Sequence, residues 1–228
     1  MTALLRPFGP GLWLAAGLQV EVIGFAYPTR MAVIRLADSG LLIWSPVALT
    51  PALRTEVEAL GPVTRLVAPN SLHDRYLAEW RHAFPAARAY VAPGFAASPG
   101  DIELGDAPPA DWAADLDQVI VRGNRITTEV VFFHRPSRTV IFTDLIQQFP
   151  PGWFKGWRAL VARLDLMTAA EPAVPRKFRT AFTDRPAARA AVRRILAWPS
   201  ETVIMAHGPP VERGGQAFLT RAFAWLKP

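Results

Sequence analysis

The chain has 228 residues, 51% of them hydrophobic and 19% charged, with a net charge of +6 and no cysteine. That composition supplies a substantial core and excludes disulfides, thiolate nucleophiles and cysteine-held zinc, so any metal must be held by histidine, aspartate or glutamate. The excess charge comes mainly from arginines spread through the C-terminal half (RKFR, RPAARAAVRR) without the glycine and aromatic interleaving of a nucleic-acid surface, which disfavours such a partner.

From the N-terminus, ALLRPFGPGLWLAAGL is broken by Pro7, Gly9, Pro10 and Gly11 before it can act as a signal peptide. No apolar run approaches the roughly 20 residues needed to span a bilayer, so the expected location is the cytoplasm. The next segment predicts an antiparallel meander of QVEVIGF, MAVIRLA and LLIWSPV, separated by the turn signals Pro28-Thr29 and Asp38-Ser39-Gly40. Thr50 before Pro51 starts a helix that carries Leu53, Val57 and Leu60 on one face and ends at Gly61. A strand, VTRLVAP, follows, and then a helix with Leu77, Trp80 and Phe84 in a stripe, and the strand ARAYVAP, in a βαβ-like alternation. Residues 94–112 form a long connection.

Two further strands, apolar at nearly every position, flank the turn Arg135-Pro136-Ser137-Arg138 and should be covered on both faces. WFKGWRALVARLDL predicts a helix, and so does RPAARAAVRRILAW, with Asp184 as its N-cap and Pro186 in its first turn. The strand TVIMAHG and the helix GQAFLTRAFAWL close the chain. With no repeat, linker or composition break, residues 1–228 are expected to form one α/β domain.

Of four histidines, His82 is most simply a surface residue of its helix, whereas His73, His134 and His207 fall at or just after predicted strand ends. Asp144, in VIFTDLIQQF, is placed likewise, as a capping residue, a salt-bridge partner or a metal ligand. Side chains at strand ends converge at a sheet's rim, and a catalytic metal needs about three protein ligands. Trp153, Phe154 and Trp157 in FPPGWFKGW suit the wall of an apolar substrate pocket, a dimer contact or the packing of a helix on a sheet.

The order of these pieces, with VIFTDL before a late IMAHG, resembles the metallo-β-lactamase-like superfamily over nearly the whole chain, in a divergent branch with a reduced metal loop. The resemblance implies a four-layer αββα sandwich and carries Asp144 and His207 over as metal ligands. Where that family has its His-x-His-x-Asp-His loop, this chain reads Asn70-Ser71-Leu72-His73-Asp74-Arg75, with Asp74 in register and Asn70, Leu72 and Arg75 at the three histidine positions. At most a mononuclear site is therefore implied. His73, Asp144 and His207 would hold one zinc, manganese or iron ion, Asp74 would orient or deprotonate a water, and Asn70, Glu129 and His134 would support the ligands. The expected activity is hydrolysis of a small-molecule ester, amide, lactone or phosphoester, with Trp153 and Trp157 along the substrate pocket. The alternative is a metal-free descendant that binds or scaffolds, in which Asp144 hydrogen-bonds loop amides and Glu129 pairs with Arg125 or Arg138.

Overall fold

The computed structural model describes residues 3–95 and 98–228. The chain opens with β1 (Leu5–Gly9) and β2 (Leu12–Ala16), two strands that the intervening prolines and glycines conceal in the sequence. The segment expected as one strand folds back on itself as β3 (Val20–Val22) and β4 (Phe25–Tyr27). Its two-residue turn, Ile23-Gly24, has φ of 50° and 75°, the paired positive values whose twist suits a tight hairpin. Then come β5 (Arg30–Arg35), β6 (Leu41–Trp44), α1 (Pro51–Leu60), β7 (Val63–Ala68), α2 (Leu77–Ala83), β8 (Arg88–Val91) and the short β9 (Ile102–Glu103). Thr50 caps α1 by accepting from the Leu53 amide, as expected of a hydroxyl before Pro51. These strands form a seven-stranded sheet in the order β1-β2-β5-β6-β7-β8-β9, antiparallel as far as β6 and parallel beyond it.

The second sheet holds β10 (Leu116–Val121), β11 (Glu129–His134), β12 (Thr139–Phe142) and, after three intervening helices, β13 (Thr202–Met205). Between the last two strands lie α3 (Trp157–Leu164), α4 (Arg176–Ala181) and α5 (Arg185–Leu196), and α6 (Gly215–Phe223) follows β13. Asp184 caps α5 by accepting from the Ala187 amide. Helix α4 had no signal in the sequence pattern; it is six residues long and buries only Phe178.

Successive residues of a strand face opposite ways, and here both faces are buried. Ile34, Leu42, Trp44 and Val67 meet Ile120, Phe132, Ile141 and Ile204 between the sheets. Val33, Ile43 and Leu66 turn outward against α1 and α2 through Leu53, Val57 and Trp80. On the far side Val131, Val140 and Val203 pack on α5 and α6 through Val192, Ile195, Phe218 and Leu219. The architecture is therefore the αββα sandwich.

Strand direction fixes what reaches the functional rim. β12 and β13 are parallel, with Phe142 opposite Met205, so Asp144 and His207, each two residues further on, emerge side by side. β11 is antiparallel to β12, with His134 opposite Thr139, so its start at Glu129 meets that rim and its end points away. The amide of Val130 donates to the carbonyl of Pro69, which ties this start to the end of β7 in the other sheet. His134, expected beside the ligands, is thus at the opposite rim, where its Nδ1 is 2.6 Å from Ser137 Oγ.

Burial, only partly offset by Asp115, lowers the His134 pKa to about 4. The folded chain holds this ring neutral while the unfolded chain protonates it near 6.5, so its contribution to stability is present above that value and is lost as pH falls to about 4. Wild type should therefore lose about 5 °C more in melting temperature than His134→Gln over this window, measured by thermal unfolding at each pH. Parallel curves for the two proteins would remove His134 from the acid response.

Candidate metal centre

Asp144 lies just beyond β12 and is only 4% exposed. Its Oδ2 is 3.2 Å from His73 Nε2 and its Oδ1 is 3.3 Å from His207 Nε2. Asn70 Nδ2 donates to Oδ2 at 2.8 Å, and Gln147 Nε2 donates to Oδ1 at 3.2 Å. Burial pushes the Asp144 pKa up, but the two imidazoles more than offset this and hold it well below the usual carboxylate range.

Each histidine is oriented through its other nitrogen. His207 Nδ1 is 2.7 Å from the Pro28 carbonyl, which can only accept, so the hydrogen bond assigns a proton to Nδ1; Nε2 then offers a lone pair to an ion in the neutral ring and an N–H to Asp144 in the charged ring. His73 Nδ1 is 2.8 Å from Ser45 Oγ. Arg30 donates to the carbonyls of Met205 and Gly208 and so pins the chain on both sides of His207. Gly208 has no room for a side chain, since a Cβ there would stand 2.6 Å from the Gln148 carbonyl oxygen.

The ligand atoms offered by His73, Asp144 and His207 all lie within 4.8 Å of one another. Two ligands each about 2.1 Å from a tetrahedral ion stand about 3.4 Å apart, close to the 3.2 and 3.3 Å at which the two Nε2 atoms approach the two different oxygens of Asp144. Two imidazoles with hydrogen-bonded Nδ1 atoms and one carboxylate are also the donor chemistry that zinc, manganese or iron accepts. This His-Asp-His group could bind a metal.

Glu129 lies behind the group, fully buried. Its carboxylate accepts from the amides of Thr143, Asp144 and Leu145 at 2.8, 2.9 and 3.0 Å. The loop amides are thus held by Glu129, not by the Asp144 side chain, and Glu129 bonds backbone where the sequence suggested an arginine. Arg138 instead pairs with Glu201. Burial and the charge of Asp144 raise the Glu129 pKa to about 7, against the opposing pull of the Thr143 and Asp144 amides.

The group opens into a cavity of about 760 Å³. Val20, Val22, Ile23, Phe25 and Tyr27 of the β3–β4 hairpin supply one wall, and Asp74, Arg75 and Tyr76 stand beside His73 on another. Trp153 and Trp157, expected along this cavity, stand behind its wall: Trp153 Nε1 donates to the Ala26 carbonyl at 2.8 Å, and Trp157 meets the Phe25 ring edge-on at 5.7 Å. Four groups at the centre had not been singled out. Gln147 carried a weak signal, as the first of a polar pair after the apolar pair Leu145-Ile146, whereas Ser45, Arg30 and the Pro28 carbonyl carried none.

The fold and this rim together define a protein of the metallo-β-lactamase-like fold. A metallo-β-lactamase from Pontibacter korlensis aligns over 98% of both chains with 14% identity and a TM-score of 0.62. One from Erythrobacter litoralis aligns over 98% of this chain and 91% of its own, with 16% identity and a TM-score of 0.63. FIM-1 from Pseudomonas aeruginosa, solved in its mono-zinc form, aligns over 98% of this chain and 96% of its own, with 14% identity and a TM-score of 0.63. Identities this low establish shared fold alone. No curated protein matches the chain. By sequence the chain belongs to the family described as a domain of unknown function, DUF4336, which matches residues 15–173 and so includes His73 and Asp144 but stops before β13 and His207.

Glu129→Ala would leave three buried amides without an acceptor, at about 1–3 kcal/mol each. A fall of at least about 6 °C in melting temperature is expected, with Glu129→Gln intermediate because it keeps one acceptor oxygen. An unchanged melt for Glu129→Ala would show that the loop does not depend on this carboxylate.

Proposed function

We propose that this protein is a metal-dependent hydrolase of small molecules, with residues 1–228 as one domain and a single divalent transition ion, zinc, manganese or iron, held by His73, Asp144 and His207. The observation that carries this reading is the pair of Nε2 atoms aimed at one carboxylate, 3.2 and 3.3 Å away, while other groups hold both Nδ1 atoms. Support for one ion and not two comes from Asn70 and Gln147, whose amides already use Asp144 lone pairs that a bridging role would need.

A divalent ion in such a site polarises a carbonyl or phosphoryl oxygen and makes a water more acidic. Asp74, an exposed carboxylate on the cavity wall next to His73, orients the attacking water and accepts its proton. The hairpin side chains Val20, Phe25 and Tyr27 seat the apolar body of the substrate and exclude bulk water from the reacting bond. The scissile bond is an ester, amide, lactone or phosphoester.

A second reading, a metal-free protein that binds or scaffolds, is favoured by one feature. Asp144 faces four nitrogen groups, and protonation of one imidazole would close that set without an ion. Metal analysis separates the two readings. Protein purified without chelator, or reconstituted with zinc, manganese or iron, should hold about one ion per chain, and Asp144→Asn should hold none. Asp74→Asn should keep its ion and lower kcat by about 100-fold or more. Absence of bound metal in wild type after reconstitution would overturn the hydrolase reading.

A further inference from the structure

Helix α3 is turned the wrong way round for a helix that packs on a core. At about 100° per residue, Trp157, Leu160, Val161 and Leu164 share one face. That face is exposed: Trp157 and Leu160 are each 59% exposed and Leu164 is 55% exposed. The inward side is made of Ala159 and Ala162, which pack beside Phe149, Phe154 and Met167. Arg158 and Arg163 fall on the two flanks of the apolar face, and Lys155 precedes it. From Gly152 to Leu164 the chain carries these three cations and no acid.

The β3–β4 hairpin extends the same surface. Ile23 at its tip is 91% exposed and Val22 is 50% exposed. Arg158 Nε donates to the Gly24 carbonyl at 2.6 Å, and Phe25 meets both Phe154 and Trp157, so helix and hairpin tip form one connected patch. Val22, Ile23 and Val161 also line the cavity, which makes the patch continuous with its mouth.

We infer that α3 and the hairpin tip form a docking surface for an anionic lipid bilayer, placing the cavity mouth against the membrane interface. Large apolar side chains flanked by basic ones are the pattern of a helix lying in the headgroup region. A second copy of this chain fits less well, because two-fold pairing would set Lys155, Arg158 and Arg163 near their own counterparts, with Glu21 on the hairpin as the acid at hand. Among the described residues no helix is long and apolar enough to cross a membrane, so the contact is peripheral.

The test is flotation of the full chain with vesicles of phosphatidylcholine alone and of equimolar phosphatidylcholine and phosphatidylglycerol, in the presence of a chelator. The readout needs neither bound metal nor turnover, so its failure leaves the hydrolase proposal standing. Wild type should bind the anionic vesicles at least about tenfold more tightly than the neutral ones. Leu160→Ser combined with Leu164→Ser, at two exposed positions, should weaken that binding by about tenfold or more with an unchanged melting curve. Arg163→Gln should lessen the preference for anionic vesicles. No binding, or equal binding to both vesicles, overturns the inference. A wild-type dimer in light scattering that the double variant dissociates also overturns it and assigns the surface to a second copy.

Discussion

The carboxylate of Asp144 is buried where two sheets end, and an unpaired charge in such a place costs on the order of several kcal/mol. Much of the surrounding rim is arranged to meet that cost. Two imidazoles face its two oxygens, two side-chain amides donate to them, and the loop that presents it is held by Glu129. The groups come from both sheets: Asn70 and His73 follow β7, while Glu129, Asp144 and His207 lie at the ends of β11, β12 and β13. The bond from Val130 to Pro69 joins the sheets at the same point, so the site and the sandwich stabilise each other.

Two carboxylates so close could not both be ionised cheaply, and their environments push them apart. Asp144 is held ionised by its imidazoles, while Glu129, with no cation beside it, is raised to about 7 and is supported by backbone amides. One carboxylate therefore faces the cavity as an anion, and the other serves the loop. The division follows from which partners each can reach, since the two residue types differ only by a methylene.

The side of the molecule around the cavity follows a different rule from the core. Over most of the rest of the fold the large apolar residues of the strands and helices turn inward in three layers. At α3 and the hairpin tip they turn outward, with alanines taking the inward positions. Exposed apolar surface of this kind, bordered by basic side chains and continuous with an apolar cavity, marks a place where the protein meets something other than water.

Local chemistry was enough for part of this. Thr50 and Asp184 announced their helices because a side-chain oxygen before a proline-led turn caps amides wherever it occurs. The apolar runs of β11 and β12 announced strands covered on both faces, and Asp144 and His207 stood out as polar residues just past such runs. The chain could not by itself show strand direction. His134 ends its strand as Asp144 ends its own, yet β11 runs against β12, so the two emerge at opposite rims. The same antiparallel register brings Glu129 to the amides of the Asp144 loop, a partnership between residues 14 to 16 apart that no spacing rule encodes. Trp153 and Trp157 lie behind the cavity wall because the hairpin, read in sequence as one strand, folds back between them and the cavity. Sequence thus determined most of the strands and helices, though not β1, β2, β9, α4 or the turn between β3 and β4, and which residues are polar where polarity is costly. Tertiary structure decided which of those residues meet, because hydrogen-bond pairing between distant strands sets direction and register, and those two choices place each side chain at one rim or the other.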